Sequence, residues 1–307
     1  MLRLMVLIAL FWTVLAVSAE SAPAPKAEHR KDSHVPDGYV LTFEDDFDGT
    51  KLDPAKWKTR YIYNNETTDR LNDEQQRFRD NGNHIIENGT LKLIAKKVRD
   101  EAKSEKSPHP INYESGMIRS THTQLYGYFE ARVKFCDAVG TWPAFWLNSD
   151  YGPEKKLHWP PEIDIFEYVI NGKEDTESMV KVGVVSRPST AKENKGKPAQ
   201  GNEIVYADPN LNKKWKTYKR PDGSSLANKW LTFGLEWTED SATIFLDETR
   251  IVTFATRWVY NDGRQAPPAH ILLNLAVGGS WAGRHGIDNT KLPFIYEIDW
   301  VRAYKKP

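Results

Sequence analysis

The chain has 307 residues, with 42 Lys and Arg against 42 Asp and Glu, and its formal net charge is zero. That balance argues against a nucleic-acid or polyanion surface, which needs a basic excess to neutralise phosphates, and it points to an uncharged partner. Eleven Trp, thirteen Tyr and twelve Phe suit such a partner, because sugar rings offer apolar C–H faces to stack on, although most of these aromatics are expected in the core.

From the N-terminus, Arg3 is followed by an apolar stretch from Leu4 to Leu15 and then by Val17-Ser18-Ala19, a small-x-small cleavage site. Residues 1–19 therefore read as a secretory signal peptide, and the protein is expected to be secreted, extracellular or periplasmic. The apolar stretch falls short of the roughly 20 residues that span a bilayer, and no later segment reaches that length without charges, so no membrane span is expected. Residues 20–38 interleave Pro23, Pro25 and Pro36 with charged residues and carry almost no large apolar side chain. Such a stretch cannot offset its ordering entropy by burial and reads as a disordered linker. Residues 39–307 are long enough for a sizeable core and within the range of one all-β domain; no internal repeat is evident, and a monomer is expected.

Within that domain, short segments rich in β-branched and aromatic residues recur between Gly, Pro, Asn and Asp clusters. They include Thr90–Ala95, Gly127–Phe135, Thr232–Thr238, Ala242–Leu246, Arg250–Phe254, Ile271–Val277 and Ile295–Tyr304. In Tyr128–Phe135 the apolar residues Phe129, Ala131, Val133 and Phe135 alternate with a polar set, which predicts a strand with one wet face. Cys136, the only cysteine, follows it; no internal disulfide or cysteine-based zinc cluster is possible, and a quiet thiol in or near the core is expected. No stretch beyond about ten residues after the signal carries a helical period. An all-β sandwich of two antiparallel sheets, with a cleft on the outer face of one, follows.

The chemistry is expected in Trp159-Pro160-Pro161-Glu162-Ile163-Asp164-Ile165-Phe166-Glu167-Tyr168. In a regular strand Glu162 and Asp164 share a face while Glu167, an odd number of residues from Glu162, lies on the other. A β-bulge near Ile165 or Phe166 would return Glu167 to the first face, leaving the two glutamate backbones four strand steps, roughly 13 Å, apart. Side chains leaning together would then bring the carboxyls to the separation of about 5 to 5.5 Å that a retaining glycosidase needs. Asp164, between them, would share a proton or hydrogen bond with a neighbour.

This segment resembles the E-x-D-x-x-E strand of glycoside hydrolase family 16. Further resemblances follow in order: Phe43–Gly49 with Trp57, Ser115–Ile118, Gly127–Arg132, Gly140–Trp146, Leu273–Gly279 and Ile298–Arg302. The resemblance implies a β-jelly-roll sandwich with an open groove, Glu162 as nucleophile, Asp164 as its assistant and Glu167 as acid/base. It further implies sugar contacts from Trp142 and Trp146, pointing alternately or nearly so, and from Trp281, for which loop packing is the alternative. Asn72 and Glu74 resemble a glycan-contacting polar segment, although the same residues are ordinary turn chemistry. Some members hold a structural calcium, for which Asp46 and Asp299 are the candidates here; an unrelated pair of surface acids is the simpler account. No cofactor is expected in the chemistry.

The chain departs from laminarin-cutting members in two places. Val182–Arg187, after the catalytic segment, has no histidine, and neither does Trp230-Leu231. Pro160-Pro161 also stands where a glycine is common. The expected substrate is a β-1,3 or mixed β-1,3/1,4 glucan. The alternatives are a bacterial exopolysaccharide or algal galactan, transglycosylation, or a non-catalytic glucan-binding lectin. Asn65 and Asn88 lie in glycosylation sequons, and no H-E-x-x-H, P-loop, G-x-S-x-G or Rossmann fingerprint is present.

Overall fold

The computed structural model describes residues 34–101, 111–152, 155, 157, 159–173, 176–185, 215–260 and 263–307. The expected signal peptide and the linker up to residue 33 lie outside the described residues. The strands are, in chain order, β1 (Val40–Asp45), β2 (Trp57–Lys58), β3 (Gln76–Phe78), β4 (His84–Glu87), β5 (Thr90–Glu101) and β6 (Ile111–Ser115). They continue with β7 (Met117–Gln124), β8 (Gly127–Phe135), β9 (Thr141–Ser149), β10 (Glu162–Glu167), β11 (Met179–Val185) and β12 (Trp215–Lys219). The last five are β13 (Trp230–Trp237), β14 (Ser241–Leu246), β15 (Thr249–Ala255), β16 (Ala269–Val277) and β17 (Phe294–Lys305). Among the described residues the only four-residue helical turns are α1 (Tyr63–Glu66), in which Asn64, Asn65 and Glu66 have positive φ and the turn is left-handed, and α2 (Gly279–Ala282), in keeping with the helix-poor reading.

These strands form two sheets. One runs β15-β14-β13-β8-β17-β5-β6-β3, with β1 added on β17 and β4 on β5; the other runs β12-β11-β10-β9-β16-β7-β2. Pairing is antiparallel except between β3 and β6. The meander β9 to β12 stays in the second sheet and β13 to β15 in the first, while β16 and β17 return to the middle of their sheets, so the chain crosses repeatedly between layers. This is the jelly-roll sandwich expected.

Period-two patterning explains the core. Phe129, Ala131, Val133 and Phe135 of β8 are fully buried against inward residues of the facing sheet, among them Phe166 and Tyr168. The expectation of a wet opposite face holds only for half of β8, because Tyr128 and Glu130 are also buried. The cause is a second layer of side chains. The Tyr304 hydroxyl donates to Glu130 at 3.3 Å, and Phe245 lies beside Tyr128, 6.4 Å between centroids. His34 stacks on Phe245 at 4.2 Å and its Nε2 meets the Asp247 carbonyl at 2.9 Å. His34, which falls in the expected linker, thus packs on the domain, because an aromatic at this position has a ring to dock on. Cys136 packs against the core as expected, and burial pushes its thiol pKa up.

Candidate active site

The site is built on β10 and its two neighbours. Glu162, Ile163 and Asp164 stand opposite Asn148, Leu147 and Trp146 of β9; the register then jumps, so that Phe166 faces Phe145 and Glu167 faces Ala144. The same jump occurs against β11, where Asp164 faces Gly183 and Glu167 faces Lys181. Ile165 is the extra residue of a β-bulge, at the position the acid spacing predicts. Ile163, Ile165 and Phe166 are all fully buried in the inter-sheet core. Two consecutive apolar side chains therefore point inward, and the third acid regains the face of the first two. Asn148 and Ala144, the partners of Glu162 and Glu167, are four positions apart on β9.

That face is the floor of an open groove of about 1030 Å³, lined by all three acids, by Trp142, Trp146, Trp159, Trp215 and Trp281, and by Lys181 and Asn274. Trp142 donates its Nε1–H to Glu167 Oε1 at 3.1 Å, and Trp159 donates to Glu162 Oε2 at 2.9 Å. Each glutamate thus keeps one indole donor. Trp146 stands four positions after Trp142 on an unbulged strand, so the two share the groove face, which corrects the alternate pointing expected of them. Trp146 is nonetheless mostly buried: it packs on Tyr61, and its Nε1–H is held by Asn274 Oδ1 at 2.8 Å. Trp281 on α2 meets Trp142 edge-on at 4.6 Å, and the Lys181 ammonium lies 4.3 Å from its ring centroid.

Asn72 and Glu74 line the groove as expected, but they answer first to each other. The Asn72 backbone N–H donates to Glu74 Oε2 at 2.8 Å and its side-chain amide to Oε1 at 3.3 Å. The turn is tied to α2 by the Ser280 N–H on Asp73 Oδ2 at 3.0 Å. Gly279 has a positive φ of 73°, and a Cβ there would stand 2.7 Å from Asp73 Oδ1, so only glycine permits this approach.

Burial dominates the electrostatics of the acids. Desolvation raises Glu162 to about 7 and Glu167 to about 8, and raises Asp164 well above the ordinary Asp value. The hydrogen bond between Asp164 and Glu162 lowers Glu162 and raises Asp164, which favours Asp164 as the donor to the Glu162 carboxylate. Trp159 further favours the Glu162 carboxylate. For Glu167, the charge of Glu162 adds to the effect of burial, while Lys181 and Trp142 oppose it. The cluster therefore favours the ionised form at Glu162 over Glu167, and burial with two neighbouring acids favours the neutral form of Asp164.

Sequence reasoning did not single out Tyr61, Tyr63, Trp159, Lys181, Trp215 or Asn274, all of which line the groove. Signals exist for two of them. Lys181 interrupts the apolar run Val180–Val185, and Trp215 sits among Lys213, Lys214 and Lys216 where a core tryptophan is out of place. Tyr63 is brought to the rim by the turn at α1, through Asn148 Nδ2 donating to its hydroxyl at 2.6 Å and an ion pair between Glu66 and Arg119.

The pair considered for calcium does not fit a metal. Asp46 accepts from Arg302 at 3.0 Å and Asp299 pairs with Arg132, so each carboxylate already has a guanidinium. Among the described residues no three His, Cys, Asp or Glu side chains are grouped to hold an ion.

Three carboxyls converging on the floor of an aromatic groove, on a two-sheet jelly roll, define a glycosidase-type cleft. The chain belongs to glycoside hydrolase family 16: the family model described as "Beta-porphyranase A-D, GH16 domain" matches residues 39–306. Curated relatives include endo-1,3-1,4-beta-glycanase ExsH of Rhizobium meliloti, 28% identical over 71% of this chain and 39% of the relative. A second, keratan-sulfate endo-1,4-beta-galactosidase of Sphingobacterium multivorum, is 28% identical over 64% of this chain and 42% of the relative. The chain spans 39%, 42% and 60% of the first three curated relatives it matches, and so only part of their length. Among solved structures, LamAcat from Zobellia galactanivorans superposes with a TM-score of 0.63 at 25% identity, covering 87% of this chain and 98% of that one. The endo-beta-1,3(4)-glucanase SCLam gives 0.66 at 25% identity, with 90% and 95% covered.

Proposed function

We propose that this domain is a retaining endo-β-glycan hydrolase acting on β-1,3 or mixed β-1,3/1,4 glucan, exported after removal of residues 1–19 and working as a monomer. The observation that carries the reading is the bulged strand, which turns Glu162, Asp164 and Glu167 onto one face of an open aromatic groove. Glu162, ionised first and fed hydrogen bonds by Asp164 and Trp159, attacks the anomeric carbon. Glu167, protonated to higher pH, gives its proton to the leaving oxygen and then takes one from water. Relatives whose names specify β-1,3 and β-1,3-1,4 linkages support the glucan substrate.

Glu162→Gln is expected to lower release of reducing ends from laminarin or lichenan on the order of 10³-fold or more. Wild-type turnover by that variant would end the assignment. The anomer formed first, followed by proton NMR, is expected to keep the β configuration. The rate should fall on the acid side as Glu162 takes up its proton and on the alkaline side as Glu167 loses its own, so kcat/KM is expected to peak between about 7 and 8.

A galactan substrate is the second reading. It is favoured by the porphyranase description of the matching family model and by the lack of histidine in Val182–Arg187. Cleavage of agar-type galactans with no attack on either neutral glucan would select it. Tight glucan binding with no new reducing ends would instead make the domain a lectin.

A further inference from the structure

We infer that Lys181 is a positioning residue for the acid/base step: through Trp281 and Trp142 it fixes Glu167 and keeps a positive charge beside it. The inference rests on the reading of Glu167 as the acid/base. Lys181 lies directly opposite Glu167 in the β10–β11 ladder, so the two side chains rise from the same face. It is the one basic side chain among the described residues lining the groove, against the acids Asp73, Glu74, Glu162, Asp164 and Glu167.

Its ammonium is held on the Trp281 ring, 4.3 Å from the centroid. Trp281 meets Trp142 edge-on at 4.6 Å, and Trp142 donates to Glu167 at 3.1 Å. A closed circuit of contacts thus links the cation to the carboxyl. The charged groups around Glu167 are Glu162 from its own strand and Lys181 from β11, with Asp73 and Glu74 on the groove wall and Asp164, whose neutral form burial favours, between the glutamates; β9 presents Trp142, Ala144 and Trp146 and α2 presents Ser280 and Trp281, none of them charged. Lys181 alone among them eases ionisation of Glu167, against burial and the charge of Glu162.

Double displacement uses Glu167 in both protonation states. In the first half its proton passes to the glycosidic oxygen as the C–O bond breaks and the Glu162–carbon bond forms. In the second, water adds to that carbon, its proton passes to the Glu167 carboxylate, and the Glu162–carbon bond breaks. A group that never released its proton would stall the second half, and a fixed cation on an aromatic face prevents this without closing an ion pair that would block the sugar.

The test is a ¹³C-carboxyl NMR titration of the glutamate-labelled full chain, with the Glu167 signal identified by its loss in Glu167→Gln. Lys181→Met, or Lys181→Gln should the methionine variant fold poorly, is expected to raise the Glu167 midpoint by roughly half a unit to one unit. Lys181→Arg is expected to restore it, and the alkaline limb of kcat/KM should follow. An unmoved midpoint in the neutral variants overturns the inference, and so does an equal shift in Lys181→Arg, which would indicate lost packing rather than lost charge. Because the titration needs no turnover, the underlying reading is judged separately: Glu167→Ala that stays fully active, or gains nothing from added azide, removes the acid/base role while leaving the titration intact.

Discussion

Burial, with the charge of Glu162 added, pushes the Glu167 carboxyl of the folded chain up to about 8 from an ordinary Glu value of 4.5. The sign of the stability effect follows from that difference. A carboxyl whose folded value is raised contributes fully at pH below its unfolded value, and the contribution is lost as pH rises through the folded value. Between about 4.5 and about 8 the unfolded chain is ionised and the folded chain is not, so stability falls with pH across this window and levels off above it. Glu167→Gln takes this group out of the balance. Its melting temperature is expected to match wild type near pH 4, to exceed it increasingly up to about pH 8, and to keep a constant margin beyond, as read by calorimetry across a pH series. A margin that did not grow with pH would mean that Glu167 is ionised in the folded chain at neutral pH. Asp164→Asn is expected to behave in the same direction, since burial raises Asp164 and its hydrogen bond to Glu162 adds to the rise.

Among the strands, β12 lies at the sheet edge and ends the groove. Trp215 stands opposite Gly183, which in turn stands opposite Asp164. With no side chain at Gly183, the lane between the acid and the indole is clear, and Trp215 remains 36% exposed at its far end. Trp215→Ala is expected to raise KM for a long glucan roughly 3- to 10-fold, the worth of one aromatic contact, while a short oligosaccharide that never reaches β12 keeps its KM. Equal effects on both substrates would place Trp215 near the bond that breaks. How far such elements were legible in the sequence depended on whether their partners were local. Gly127–Phe135 shows its own alternation and runs as a strand over those residues. The bulge at Ile165 could be inferred because the third acid of the segment, Glu167, falls out of phase with Glu162 and Asp164 within six residues. The groove walls could not: Tyr61 and Tyr63 reach the site on a turn whose placement depends on Arg119 and Asn148, residues distant in sequence. The calcium pair failed for the same reason, since the arginines that claim Asp46 and Asp299 become their neighbours only when β1, β8 and β17 assemble.

At the scale of the whole molecule, the two sheets and the catalytic geometry are one structure, because the bulge is anchored by what it buries. Phe166, the residue that follows the extra Ile165, is fully buried and meets Phe135 at 5.1 Å and Phe233 at 4.3 Å in the facing sheet, with Phe145 of its own sheet at 6.2 Å. Its ring fills the space between layers, and its backbone sets where Glu167 emerges. Phe166→Ala removes that anchor and leaves a cavity, at a cost of about 3–5 kcal/mol, which for a domain of this size lowers the melting temperature by roughly 10 °C. Phe166→Leu keeps most of the volume and is expected to lose much less. If the core holds the bulge in register, activity measured well below the melting temperature should fall further in Phe166→Ala than in Phe166→Leu, although neither substitution touches the groove. Full activity in a destabilised Phe166→Ala would show that pairing with β9 and β11 alone aims the acid, and that the inter-sheet packing stabilises the fold without steering its chemistry.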